Sequence, residues 1–353
     1  MPNEVELLKE LVGCPSVSGD EDAIARLVEA TVRRWGLDVV RDDTGVKVVV
    51  ETGRPGRTLA FISHLDVVPP GQGWTRDPFT PTIEGDLLYG RGSGDAKASV
   101  ATMLLAARDF AERRGDAGGT LVVILGLGEE TKNTSMGRAV ATVPPISATV
   151  VGEPTNLEIA IAQRGLMMVD LVARGDQRHA GYASQGGFTN AITELARDLV
   201  KLPTLLAERD HPILGLTTVT ATMIEAGVSR NVTPPMAKAV LDIRSTPAWE
   251  HSEIGPALTA ALDCQVVVTS ERLVPCETPP DSRLLAAARR VNPAVTTFGS
   301  PTCSDWVFVR HTDAIKCGPG TSRRSHTADE AVDLPEVRAA RPFYRALAEE
   351  YLR

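Results

Sequence analysis

The stretch LAFISHLD at 59–66 is the first guide to the fold class: an apolar run of strand length ends directly in polar residues. Short apolar runs recur at 46–50, 121–125 and 148–151, and the run 97–110 places small and apolar residues at helical spacing between them. Strands that alternate with helices predict an α/β fold, a mostly parallel mixed sheet with helices on both faces. Ligands bind at the carboxyl ends of the strands in such sheets, so the residues that follow each strand are the candidates for chemistry.

The middle of the chain has a different order of elements. Strand-like and helix-like segments follow one another there as β-α-β-β-α-β, at 167–172, 189–201, 217–224, 237–243, 252–262 and 265–269. This order is typical of a small α+β domain of ferredoxin-like layout. We therefore expect a discontinuous catalytic domain over 1–164 and 276–353, interrupted by an inserted lid or dimerisation domain over 165–275.

Composition excludes several classes of protein. The chain has 353 residues, 43% of them hydrophobic, and a net charge of -8 with Lys and Arg scattered among acids, which argues against a nucleic-acid partner. The N-terminal residues resemble no signal peptide, and no segment approaches the roughly 18 apolar residues of a membrane span. Five widely spaced cysteines without a C-x-x-C pair indicate neither a disulfide framework nor a thiolate zinc site. We expect a cytoplasmic protein without a membrane partner.

Two candidate sites follow the first strands. His64 and Asp66 share one side of an extended chain, so one can bind a metal while the other orients it. Asp95 ends the stretch 90–95, GRGSGD, at the start of a helix. It could instead be a simple N-cap, and the glycine-rich loop could cradle phosphate, although the spacing matches neither phosphate-binding signature.

Three further sites follow later strands. Glu129 and Glu130 come after 121–125, and if the chain is extended there, one side chain faces a metal and the other the substrate. Glu153 follows 148–151 in the sequence VGEPT, and His326 lies in the loop GPGTSRRSHT. Each could be an ordinary surface residue by itself. Together they would converge on one edge of the sheet, where clustered carboxylates repel one another unless cations lie among them. Two metal ions that share one bridging carboxylate account for all of these residues.

The order of these motifs resembles the dinuclear zinc aminoacylase and deacylase family. H-x-D, G-x-G-D, E-E, G-E-P-T and G-P-G with H-T follow one another as in that family, over nearly the whole chain. The resemblance implies two divalent metal ions, zinc or alternatively cobalt or manganese, with these ligands: His64 and Glu153 on one ion, Glu130 and His326 on the other, and Asp95 bridging both.

The same resemblance implies the remaining catalytic roles. Asp66 would orient His64, and Glu129 would be the general base for a hydroxide held between the metals. In the family the bridging residue often precedes a cis peptide and another Asp or Asn, whereas Ala96 stands at that position here.

The inserted domain carries weaker matches. His179 resembles the family's histidine that crosses a dimer interface and stabilises the oxyanion in the partner's site, which implies a homodimer. Asn231 and Arg244 resemble residues that bind the substrate carboxylate, and bidentate recognition suits an arginine. A structural salt bridge between Arg244 and Asp242 is the alternative.

The expected reaction is hydrolysis of the amide bond of a small N-acyl amino acid. The short chain, the sequence GEPT at 152–155 and the sequence TCSD at 302–305 favour deacylation of N-acetylornithine or an N-acyl-lysine in arginine or lysine biosynthesis. The alternatives are succinyl-diaminopimelate desuccinylase and a dipeptidase or carboxypeptidase. A serine hydrolase would require a G-x-S-x-G elbow, which Gly92-Ser93-Gly94 is not. A binding protein that retains the fold would be expected to have lost Glu129 or a metal ligand.

Overall fold

The computed structural model describes residues 2–113, 115–131 and 133–353, which form two compact units. The larger unit comprises Met1–Ile161, Thr278–Phe298 and Ser304–Arg353, and the smaller unit comprises Ala162–Glu277 and Gly299–Cys303. The larger unit is therefore discontinuous in sequence. Among the described residues, no helix has both the length and the apolar character that a membrane crossing requires.

The main sheet of the larger unit is mixed. Seven of its nine strands lie in the spatial order Asp38–Asp42, Gly45–Glu51, Thr120–Gly126, Thr58–His64, Ala148–Val151, Asp313–Lys316 and Ile159–Gln163. Thr58–His64 is parallel to both of its neighbours, and Asp313–Lys316 is parallel to Ala148–Val151, whereas the outer strands pair antiparallel. The mostly parallel mixed sheet expected from the sequence is confirmed. All seven residues of Thr58–His64 are buried, which explains its nearly continuous apolar sequence.

Helices and a small second sheet complete the larger unit. The helices are Glu4–Val12, Asp22–Arg34, Ala98–Glu112, Ser135–Val140, Arg283–Val291 and Leu334–Tyr351. The first begins at a capping box in which Asn3 and Glu6 satisfy each other's backbone amides. Ala98–Glu112 is almost entirely buried and packs against Leu334–Tyr351, as its small and apolar residues require. A three-stranded sheet has the order Ala331–Asp333, Leu87–Tyr89 and Thr82–Glu84.

The smaller unit is an antiparallel sheet with two main helices. Its strands have the order Thr218–Ala226, Met236–Ser245, Gly165–Arg174 and Gln265–Leu273, and its helices are Ala191–Leu199 and His251–Ala261. Along Gly165–Arg174 alternate residues are buried, which is the pattern of a sheet with one covered face. The order strand-helix-strand-strand-helix-strand is the one that the sequence indicated. Its role as a lid or dimerisation domain stays a prediction.

Short elements occupy the remaining connections. The hairpin Asp210–His211 and Gly215–Leu216 and the strand Cys276–Glu277 belong to the smaller unit, and the strand Thr297–Ser300 begins in the larger unit and ends in the smaller one.

Candidate metal centre

The candidate residues of the larger unit meet at one edge of its main sheet. In the register of the parallel strands, His64 lies opposite Gly126 and Ile62 lies opposite Val151. Loops that leave these three strands therefore start side by side. Glu129, Glu130 and Glu153 lie on two of those loops, two to four residues after the strand ends.

Asp95 lies between two histidines, with one carboxylate oxygen directed at each. Its Oδ1 is 3.3 Å from Nε2 of His64, and its Oδ2 is 3.7 Å from Nε2 of His326. Each histidine has a second acid: Nε2 of His64 is 3.9 Å from Glu153, and Nε2 of His326 is 2.9 Å from Glu130. Two groups of one histidine and one glutamate thus flank a central aspartate. Potential ligand atoms of His64, Asp95 and Glu130 all lie within 4.8 Å of one another.

The loop that carries Glu153 and the loop that carries His326 are joined by hydrogen bonds between Thr155 and Gly318. Thr155, two residues after Glu153, donates its backbone N–H to the carbonyl of Gly318 at 3.1 Å, and its hydroxyl oxygen accepts from the N–H of Gly318 at 3.0 Å. A Cβ at Gly318 would lie 2.5 Å from the carbonyl oxygen of Glu153, so only glycine allows this approach. The motifs GEPT and GPG, far apart in sequence, are thereby held side by side.

Asp66 organises the backbone of the site. Its carboxylate is 0% exposed and accepts hydrogen bonds from the amides of Glu129 (3.0 Å) and Glu130 (3.1 Å) and from the hydroxyl of Ser18 (2.6 Å). Burial acts to raise its pKa, but contacts with His64 and these donors lower the pKa of Asp66 to about 2. Nδ1 of His64 lies closer to the backbone carbonyl of Asp66 (3.0 Å) than to its carboxylate (3.5 Å).

The expectation of an extended chain at Glu129 and Glu130 was wrong. Both residues lie in a turn that follows Gly128, whose φ of 68° is in the left-handed region. Both of their backbone amides donate to the carboxylate of Asp66, so the two residues do not alternate as they would in a strand. The carboxylate of Glu130 contacts His326, whereas that of Glu129 accepts a hydrogen bond from Asn133.

The electrostatics of the cluster indicate that it is built for cations. Burial and the charge of Asp95 raise the pKa of Glu153 to about 8, and burial with neighbouring carboxylates raises the pKa of Glu129 well above its usual range. Burial opposes protonation of His64, yet its acidic neighbours raise the pKa of that imidazole well above 6.5. Without added positive charge, the ionised forms of Glu153 and Glu129 are therefore disfavoured. Imidazole nitrogens and carboxylate oxygens are also the donors that zinc, cobalt and manganese accept, so the residues fit a pair of divalent ions.

Comparison with known proteins agrees with this geometry. Residues 60–350 match the model of peptidase family M20/M25/M40. The chain belongs to this family. It is 30% identical to succinyl-diaminopimelate desuccinylase 2 of Ruegeria sp. (strain TM1040), over 98% of this chain and 94% of that protein. It is 31% identical to succinyl-diaminopimelate desuccinylase of Cereibacter sphaeroides (strain KD131 / KCTC 12085), over 98% of each. This M20 chain is accordingly a metal-dependent hydrolase, which confirms the suspected family.

Solved structures share the fold of this M20 chain. The aminopeptidase PepT from Bacillus cereus superimposes with a TM-score of 0.80 at 21% identity, covering 99% of both chains. The Bacillus subtilis YXEP protein, described as a dinuclear metal-binding peptidase of the M20 family, superimposes with a TM-score of 0.75 at 16% identity, covering 99% of this chain and 97% of that one. At these identities the likeness shows the fold alone.

The other candidate residues of this M20 chain belong to the smaller unit. His179 is exposed, and its Nδ1 accepts the amide of Gly181 at 3.0 Å. It pairs with Val232 through an isolated bridge, so it lies beside exposed Asn231. Arg244 makes a bidentate ion pair with Asp242, at 2.8 and 3.1 Å, which is the structural alternative considered from the sequence.

Three further residues of this M20 chain lie at the site but were not among the residues predicted from the sequence. Asp305 is 1% exposed, and burial raises its pKa to about 7 within electrostatic reach of His64 and Asp66. Asn133 contacts Glu129, and Ser18 contacts Asp66, as described above. Asp305 appeared only as part of the sequence TCSD, and no spacing or periodicity distinguishes any of the three from a surface residue.

Proposed function

We propose that this chain hydrolyses the amide bond of an N-succinyl amino acid, with N-succinyl-diaminopimelate as the preferred substrate. The observation that carries the proposal is the arrangement of Asp95 between two histidine–glutamate pairs, which suits hydrolysis assisted by two metal ions. The choice of acyl group is supported by the names of the relatives reported above, which align over nearly the whole chain. It replaces the preference for N-acetylornithine or N-acyl-lysine that the sequence alone favoured.

Each ligand of the proposed centre keeps the role implied by the family resemblance. One ion would be held by His64 and Glu153, the other by Glu130 and His326, and Asp95 would contribute one oxygen to each. When bound, the two ions supply Lewis acidity, which polarises the amide carbonyl and makes a water molecule more acidic. Zinc is the proposed metal, and cobalt and manganese suit the same donors.

Glu129 is the proposed general base and acid. Its carboxylate has no role in the two histidine–glutamate pairs, and Asn133 holds one of its oxygens at 3.2 Å. The raised pKa suits a group that takes a proton from water and then gives it to the leaving amine nitrogen. Asp66 would support this role by fixing the backbone amides of Glu129 and Glu130 and by accepting the hydrogen bond of Ser18.

Three residues of the smaller unit have proposed roles in catalysis or substrate binding. His179 would stabilise the oxyanion in the site of a partner subunit, which requires a homodimer, and Asn231 would bind a substrate carboxylate. Arg244 would have to leave its ion pair with Asp242 before it could bind substrate, because both of its donors on that side are used. Asn231 is therefore the stronger of the two candidates for substrate binding.

The test is a substrate panel on the metal-reconstituted protein, with metal content measured by elemental analysis. We expect about two metal ions per chain and a kcat/KM for N-succinyl-diaminopimelate at least about tenfold above those for N-acetylornithine, N-acetyl-lysine and a dipeptide. A preference for an acetylated substrate would restore the deacylation of N-acetylornithine or N-acyl-lysine expected from the sequence, and the proposed metal-assisted hydrolysis would stand. A protein that binds no metal after reconstitution would overturn the dinuclear mechanism itself.

A further inference from the structure

One buried carboxylate outside the proposed ligand set accepts hydrogen bonds from the backbone of the loop that carries Asp95. Glu330 is 1% exposed, and four donors surround its two oxygens. Oε1 accepts the backbone amides of Gly94 and Asp95, both at 3.1 Å. Oε2 accepts the amide of Gly92 at 3.0 Å and Nη1 of Arg91 at 2.7 Å.

The glycine-rich loop 90–95 thus forms an anion-binding site, and the anion that it binds is the carboxylate of Glu330. Its converging amides have the arrangement that binds phosphate in other folds. Gly92 has a φ of 79°, and a Cβ there would lie 2.5 Å from Val67, so this site depends on glycine. Because the carboxylate of Glu330 already occupies these amides, the phosphate-binding alternative considered from the sequence is wrong.

Arg91 secures the other side of the carboxylate. Its guanidinium is 1% exposed, donates from Nη2 to the carbonyl of Pro70 at 3.1 Å and lies 5.1 Å from the ring centroid of Trp74. A buried ion pair of this kind adds little stability but strongly restricts geometry, because separating the partners leaves a buried charge alone. The position of Glu330 is therefore narrowly defined.

Glu330 also belongs to the loop that carries His326. It lies four positions after His326, and His326 Nε2 lies 3.7 Å from Oδ2 of Asp95. One carboxylate consequently joins the backbone of the Asp95 loop to the loop of its histidine neighbour. A change at Glu330 would alter the spacing of Asp95 and His326 without removing either side chain.

We propose that Glu330 is a positioning residue that sets the spacing of Asp95 and His326 and thereby the metal affinity of the centre. This inference rests on the proposed function, because it takes Asp95 and His326 as metal ligands. Glu330 does not contact the reacting atoms, and its influence passes through backbone hydrogen bonds. Residues that orient metal ligands in this way typically change metal affinity about 10–100-fold when they are replaced.

The test compares Glu330→Ala and Glu330→Gln with Asp329→Asn. Asp329 is the adjacent carboxylate, and it holds Thr75 at 3.0 and 2.7 Å instead of the Asp95 loop. Zinc affinity is measured by competition with a chelator, and the visible spectrum of the cobalt-substituted protein reports ligand geometry. We expect zinc affinity to fall about 10–100-fold in Glu330→Ala and less in Glu330→Gln, which keeps one acceptor oxygen, with an altered cobalt spectrum in both. Asp329→Asn should match the wild type.

The outcomes separate this inference from the proposed function. A wild type that binds no metal would overturn the proposed function. Wild-type affinity and spectrum in folded Glu330→Ala would overturn only the inference. If Glu330→Ala does not fold, Glu330→Gln, which has nearly the same volume, decides alone. If neither folds, Glu330 maintains the fold and not the ligand spacing, and the inference is again overturned.

Discussion

Two buried carboxylates, Asp198 of the smaller unit and Glu153 of the larger unit, have opposite surroundings. In the smaller unit Asp198 is 0% exposed and accepts hydrogen bonds from the amides of Asp263 (2.9 Å) and Cys264 (2.7 Å) and from Lys201 (2.7 Å). Burial acts to raise its pKa, but these donors lower the pKa of Asp198 below 3.8. In the larger unit burial and the charge of Asp95 raise the pKa of Glu153 to about 8.

The difference distinguishes a structural acid from a functional one. Asp198 has enough donors to remain ionised when buried, so its charge is compatible with folding alone. Glu153 and Glu129 face other carboxylates, and ionised forms of both need positive charge that the described residues around them do not provide in sufficient amount. Perturbed acids of this kind cluster at functional sites. Burial and the charge of Asp95 also raise the pKa of Glu330, but its four donors occupy both of its oxygens, which is why it is proposed to position a ligand and not to bind metal.

The strongest test of this comparison is Glu129→Gln. The amide keeps the shape of the side chain but cannot accept and return a proton, so kcat should fall by about 10²–10⁴. Metal content and melting temperature should stay at wild-type values, because Glu129 is not a proposed ligand. Elemental analysis, thermal unfolding and steady-state kinetics check the three parts. Activity near that of the wild type would remove Glu129 from the mechanism.

The second test is Asp198→Ala, which should lower the stability of the protein and leave its catalytic rate unchanged. It leaves the amides of Asp263 and Cys264 without their acceptor, so we expect a loss of about 2–3 kcal/mol in the free energy of unfolding. The kcat per folded molecule should stay close to that of the wild type. Urea denaturation and kinetics provide the two measurements.

A matched control for that variant is available at Asp263. Its side chain is 78% exposed and also accepts from Lys201, at 3.0 Å, so Asp263→Ala removes an exposed partner of the same lysine. It should change stability little. Equal losses in Asp263→Ala and Asp198→Ala would contradict the importance assigned to the buried acceptor.

The smallest expected effect is the number of protons that the protein releases when it binds zinc. The pKa of Glu153 in the folded, metal-free protein is about 8, above its ordinary value of 4.5, so the folded state binds more protons than the unfolded state between these pH values. The stability of the metal-free protein should therefore fall as pH rises from about 4.5 to about 8. Zinc binding at pH 7 should release about one proton or more, since the ligands bind in deprotonated form.

Calorimetry in buffers of different ionisation enthalpy measures that release. Asp198→Asn should release the same number of protons as the wild type, because this acid is already ionised without metal. Proton release that is absent at pH 7 would show that Glu153 is ionised before metal binds, and its contrast with Asp198 would disappear.

The amino-acid sequence predicted the fold class, the central strands of the main sheet and the order of the motifs that follow them, but not the strands Asp38–Asp42 and Ile159–Gln163. Continuous apolar runs such as 59–62 and 121–125 identify buried parallel strands because both faces of such a sheet are covered. Parallel strands end at one edge, so the polar residues after them had to meet. His64, Glu130 and Glu153 could be selected for that reason, and the resemblance added their division between two metals.

The contacts that hold the backbone of the site join residues far apart in the sequence and are seen only in the folded protein. Asp66 holds the amides of Glu129 and Glu130 across more than 60 residues, and Glu330 holds the amide of Asp95 across 235 residues. Helix and strand periodicity describes neighbours within a few residues and carries no information about such contacts. Such contacts form where loops from distant segments pack together. Each buried polar group there needs a hydrogen-bond partner, and this requirement determines which donor pairs with which acceptor.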